Sequence, residues 1–240
     1  MGICGVECGV RIRTAAQLFP ARRHSAHRSK SGIGGGDEAR LNRIYINRIP
    51  TRKHNGILLT TPARTLLDCA VFPFPQALPI YDSALRKSLT TIEEVQSLMI
   101  QSVCDEVSVT KLLKYADPLS ENGGESLMRG QITELSFGIP LLQVQFMNPD
   151  NPAMSYRVDF CWKLADGRII VAEYDGMAKY ADISNKNRAS LQAKMEYDRR
   201  RDRHLREQGV TEIVHVFYED LLRPINLETK LLKAGVPKIR

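Results

Sequence analysis

The apolar positions of this chain change period along its length. In residues 41–49, LNRIYINRI, apolar and polar side chains alternate, which predicts a strand, and residues 56–60 can supply a second. The spacing then becomes helical. Thr61 is a suitable N-cap, Pro62 suits the first helical position, and residues 63–70 continue as a helix. Beyond a break at Pro73 and Pro75, PQALPIYDSALRKS keeps the helical pattern. Thr90 or Thr91 caps a further helix, IEEVQSLMIQ, with Glu93 and Glu94 in its first turn, and residues 106–116 supply one more. After the loop SENGGES comes a helix over residues 125–137, ended by Gly138 and Pro140. LLQVQFM, SYRVDFCW and RIIVAEY read as strands, residues 190–208 as a highly charged helix stopped by Gly209, and VTEIVHVFY as a last strand before a short helix near Glu219. The pattern predicts a small, mostly helical module over residues 40–117 and an α/β (α+β) domain over residues 118–240, a mixed sheet flanked by helices.

Charge divides the chain differently. Residues 1–54 hold eleven Lys or Arg and three acids, a net of +8 out of +7 for the whole, so the remainder carries about −1. Residues 1–39, with the Arg-, Ser- and Gly-rich run ARRHSAHRSKSGIGGGDE, read as a flexible basic segment, either an arm that touches polyanions or a solvated tail. The GIGGG run follows no strand and opens no helix, which excludes a dinucleotide fingerprint. The five cysteines are odd in number and scattered, so no disulfide framework is expected and a reducing cytoplasm fits; Cys4 and Cys8 lack a second pair of zinc ligands. No apolar run approaches the ~18 residues of a membrane span, so no membrane partner is expected.

The candidate chemistry lies in YRVDFCWKLADGRIIVAEYD, residues 156–175. Asp159, Glu173 and Asp175 interrupt segments that otherwise suit a core, and buried carboxylates are costly without compensation. A two-residue Asp166-Gly167 turn would place Asp159 opposite Tyr174; a three-residue loop, Ala165-Asp166-Gly167, would place it opposite Glu173, with all three acids on one face. Acids so gathered repel unless protonated or bound to a cation, and Mg²⁺ suits carboxylate and water oxygens; the alternative is edge-strand charges pointing to solvent.

"RVDF", eleven residues, then "AEYDG" resembles the PD-(D/E)XK restriction-endonuclease-like family, close to the very-short-patch repair endonuclease and its bacterial "endonuclease domain" relatives. "GGESLMR" is similar to that family's opening helix, "YDRRRDRHLREQG" to its Arg- and Asp-rich helix and "TEIVHVFYEDL" to its closing strand and helix. In the first half, "GILLTTPARTLLDCA" and "YDSALRKSLTTIEEV" resemble the segment preceding this domain in AbiEi-like, type IV antitoxin-related proteins.

The resemblance implies a metal-dependent DNA endonuclease, in defence or repair, with Asp159 and Glu173 holding Mg²⁺ or Mn²⁺ and Glu125 completing or orienting the site. Asp175 stands where the family motif expects Lys, and Lys179 or Arg199 is then the cation facing a phosphate; the plainer alternative is surface charge. Lys194, Arg199, Arg200 and Arg203 are expected on DNA, although their interleaving with Glu196, Asp198 and Asp202 also suits self-compensating surface pairs. The expected partners are DNA, a second copy of the chain and a cognate toxin or defence protein. A competing expectation is a non-catalytic, antitoxin-like DNA-binding regulator on the same scaffold.

Overall fold

The computed structural model describes residues 50–175 and 188–239. The chain divides between Pro118 and Leu119 into two compact units. The alternating stretch 41–49, the basic segment 1–39, Cys4, Cys8 and Lys179 lie outside the described residues.

The first unit opens with an antiparallel hairpin of β1 (Thr51–His54) and β2 (Ile57–Thr60). Asn55 and Gly56 turn it with φ of +49° and +78°, the pair of positive dihedrals that a type I′ turn requires. TRKH contains no apolar residue, so β1 left no alternation to read. Helix α1 (Pro62–Cys69) starts as anticipated, with the Thr61 hydroxyl accepting from Arg64 N at 3.4 Å. Helix α2 (Phe74–Arg86) begins earlier than the prolines suggested: Pro75 sits in the first turn, where its missing N–H costs nothing. Both candidate caps of α3 (Ile92–Ile100) act together. Thr91 and Glu94 form a reciprocal capping box, and the Thr90 hydroxyl donates to the same Glu94 carboxylate at 2.7 Å. Helix α4 (Glu106–Tyr115) is capped by Asp105, which accepts from Ser108 N at 3.1 Å.

These helices close over a core that includes Leu66, Leu78, Tyr81, Val95, Val109 and Leu112. Tyr81 donates its hydroxyl to the Leu66 carbonyl at 2.8 Å, and burial pushes its pKa far above the ordinary value. Arg64 and Asp68, one turn apart on α1, form a buried ion pair at 2.5 Å.

The second unit has α+β architecture. Its elements run α5 (Gly123–Glu134), β3 (Leu141–Phe146), β4 (Tyr156–Lys163), β5 (Ile169–Asp175), α6 (Arg188–Glu207), β6 (Val210–Phe217), α7 (Tyr218–Leu222) and α8 (Pro224–Lys233). The sheet order is β3-β4-β5-β6, with β3, β4 and β5 antiparallel and β6 parallel to β5. The parallel pairing needs a crossover, which α6 supplies. Helix α8 was not anticipated, although Pro224 at its start and Leu227 and Leu231 one turn apart are helix signals.

Helix α5 starts two residues before the predicted point. The Asn122 side chain accepts from Gly124 N and Glu125 N at 2.9 and 3.0 Å, drawing the two glycines into the first turn. Gly124 is required there by the ring of Tyr174 on β5: a Cβ at position 124 would lie 2.0 Å from Tyr174 Cε1. Gly124→Ala should therefore destabilise by about 1–3 kcal/mol, the usual range for overpacking. Chemical denaturation of the single variant and of Gly124→Ala/Tyr174→Leu checks this, since the smaller partner should restore most of the loss.

Candidate active site

The β4–β5 hairpin closes through the three-residue loop Ala165-Asp166-Gly167. Leu164 N donates to Arg168 O at 2.9 Å, and Gly167 takes φ +87°, the left-handed position of such a loop. Asp166 anchors the loop by accepting from Arg168 N and Nε at 3.1 and 2.8 Å. The register that follows, with Phe160 opposite Ala172, counts Asp159 opposite Glu173.

Alternation along β4 reverses once in this stretch. Arg157 reaches Glu121, just before α5, at 2.6 Å, and Trp162 donates to Gly138 O, just after α5, at 2.6 Å. Tyr156 meets His204 of α6 at 3.0 Å, and Cys161 clusters with Leu205 of α6. Residues five apart thus face the same helix, which period-2 alternation forbids unless one intervening residue departs from it. Asp159 lies in that interval. Its Oδ2 accepts the backbone N–H of Tyr174 at 2.9 Å, taking over a ladder position on the neighbouring strand. The carboxylate is thereby fixed at the seam between β4 and β5.

Glu173 and Asp175 both face α6. Glu173 is 9% exposed and ion-paired with Arg201, whose Nη2 also donates to Arg157 O at 2.8 Å and whose guanidinium lies 5.9 Å from the centre of the Tyr156 ring. The contact is an ion pair without aligned hydrogen-bond geometry, and Glu173 Oε1 is buried with no aligned donor. Asp175 accepts from His215 Nδ1 at 2.9 Å, while His215 Nε2 lies 3.8 Å from Asp202 Oδ2. On β6, His215 is the register partner of Glu173.

Hydrogen bonding to Asp175, and then to Asp202, lifts the His215 pKa from 6.5 to about 10, against burial that lowers it. A His raised on folding stabilises fully below its unfolded value and loses that contribution as pH rises through its folded value. The melting temperature should therefore fall between pH 6.5 and about pH 10. The fall should flatten in His215→Gln; parallel slopes for the two proteins would refute the imidazolium. The side chain is 38% exposed, so solvent screens the effect.

Glu125 occupies the other side of the sheet. Its carboxylate accepts from Glu121 N at 2.7 Å, Asn122 Nδ2 at 2.5 Å and Gln143 Nε2 at 3.1 Å. Tyr174 packs on Gly124 of the same helix, and Glu173, next along β5, points to α6. Glu125 and Glu173 thus approach the sheet from opposite faces. Among the described residues, no group of three or more His, Cys, Asp or Glu side chains is gathered as a metal cage.

Arg199, Arg200 and Arg203 line a shallow depression with Glu196 on the exposed side of α6, and Arg200 pairs with Asp150 at 3.3 Å. The Lys194 side chain lies outside the described residues. Arg201, His215 and Gln143 lie beside these acids without being marked in the sequence. Arg201 was one of several arginines on a charged helix, and the β5–β6 register that brings His215 beside Glu173 leaves no local signal.

The chain is 30% identical over 172 residues to two uncharacterized proteins from two strains of Mycobacterium tuberculosis, covering 70% of this chain and 58% of each of theirs. It therefore spans somewhat over half the length of the curated relatives it matches. No family model and no solved structure matches it.

Proposed function

We propose that the second unit is a metal-dependent DNA endonuclease domain hydrolysing phosphodiester bonds. The observation that carries this reading is the Asp159 carboxylate on Tyr174 N, one step beyond the Phe160–Ala172 pair, where the register counts Asp159 opposite Glu173. The PD-(D/E)XK-like motifs RVDF and AEYDG fall on these same residues. The donor set fits Mg²⁺ or Mn²⁺, because such ions are held by one or two carboxylates with waters and substrate phosphates completing the shell. Asp159 and Glu173 would hold the ion, which when bound supplies an activated water and positive charge toward a phosphate.

The chain's own residues prepare the site. Tyr174 N–H orients the Asp159 carboxylate, and Arg201 holds Glu173 until a cation competes for it. The exposed Arg199, Arg200 and Arg203 offer charge to the DNA backbone. Asp175 is engaged by His215 and serves the site's electrostatics rather than replacing the family's lysine. Incubation of the full chain with supercoiled plasmid and Mg²⁺ or Mn²⁺ tests the reading: nicking is expected, and intact plasmid with both ions overturns it.

A second reading is a non-catalytic, antitoxin-like DNA-binding regulator on the same scaffold. It is favoured by the protein cations Arg201 and His215 already lying on Glu173 and Asp175. Retention of plasmid without cleavage would select it.

A further inference from the structure

Gln143 combines two costly features in one residue. Its φ of +52° is a left-handed backbone within β3, and its Oε1 is buried with no hydrogen-bond partner. It lies between the pairs Leu142–Phe160 and Val144–Val158, so the register counts it opposite Asp159. Its amide nitrogen donates to Glu125 Oε2 at 3.1 Å. A side chain that needed only to follow the change of alternation in β4 would be served by Gly or Asn, both of which accept a left-handed backbone. Gln adds length and an amide, which together reach the Glu125 carboxylate.

We propose that Gln143 is a positioning residue of the carboxylate site, fixing Glu125 through its amide nitrogen and offering its buried carbonyl oxygen as a further hard-oxygen donor to the divalent cation or its water. This rests on the metal-dependent reading above. The assignment links Glu125, on one face of the sheet, to Asp159 at the β4–β5 seam. It gives the strained backbone a purpose, since strain persists where the surroundings or the function hold it.

The test is Mn²⁺ binding to the full chain without DNA, followed by electron paramagnetic resonance or calorimetry, beside thermal melting. Gln143→Gly keeps the backbone and relieves the strain, so its melting temperature should hold or rise while Mn²⁺ affinity falls about 10-fold or more, as for lost supporting contacts around metals. Gln143→Glu keeps the length and an oxygen donor but loses the N–H that fixes Glu125, so it should recover only part of the affinity. Unchanged affinity in the glycine variant overturns the proposal. A loss in Gln143→Glu as deep as in Gln143→Gly overturns the oxygen-donor role. Wild type that binds no Mn²⁺, or binds it equally as Asp159→Asn, overturns the metal reading and this proposal with it.

Discussion

Asp159→Asn is expected to reduce Mg²⁺-dependent plasmid nicking by at least about 10²-fold while leaving the melting temperature nearly unchanged. The substitution is nearly isosteric. An amide oxygen can still accept the Tyr174 N–H at 2.9 Å, so the hairpin register survives. What disappears is the negative charge at the seam of β4 and β5, one of the two carboxylates of the proposed cation site. Single-turnover rates with a fixed excess of protein separate this loss from weaker DNA binding. Equal rates for the variant and wild type would move the chemistry elsewhere on the chain.

Asp68→Ala is expected to cost the first unit about 3–5 kcal/mol. Arg64 and Asp68 have side chains only 4% and 7% exposed, and Arg64 Nε is already buried without a hydrogen-bond partner. Removing the carboxylate leaves a guanidinium charge in a helical core with its main counter-ion gone. For a unit of this size the melting temperature should fall by on the order of 10 °C or more. Replacing both residues by apolar side chains should cost much less, because no charge is then stranded. A loss below about 1 kcal/mol from Asp68→Ala would show that water reaches Arg64.

Local signals carried most of the elements into the structure. Thr61, Thr91 and Gly209 mark helix ends because caps act over one turn, and the alternation in VTEIVHVFY is visible without knowing its partner. Asp159 and Glu173 stood out because charge in an apolar run is conspicuous. The hairpin register could not be chosen from sequence, since Asp-Gly serves loops of two and three residues alike. Nor was the reversal of alternation near Asp159 legible: it shows only through contacts with two helices distant in sequence. The same holds for Gln143, an ordinary strand residue by composition whose backbone sign is set by its neighbours. Glu125 is marked in the sequence only through the family resemblance, and which face of the sheet it approaches depends on α5 packing on Tyr174.

The amide of Tyr174 has a property that sets it apart from the regular ladder of β4 and β5. Its proton rests on a side-chain carboxylate, not on a carbonyl, so its magnetic environment follows the charge and occupancy of Asp159. A ¹⁵N-labelled sample thus carries an intrinsic probe at the centre of the proposed chemistry, one backbone resonance that reports on the acid without a substrate, a dye or a mutation. Residues Ala172 and Ile170, paired to β4 in the regular ladder, supply the internal reference against which its displacement is read.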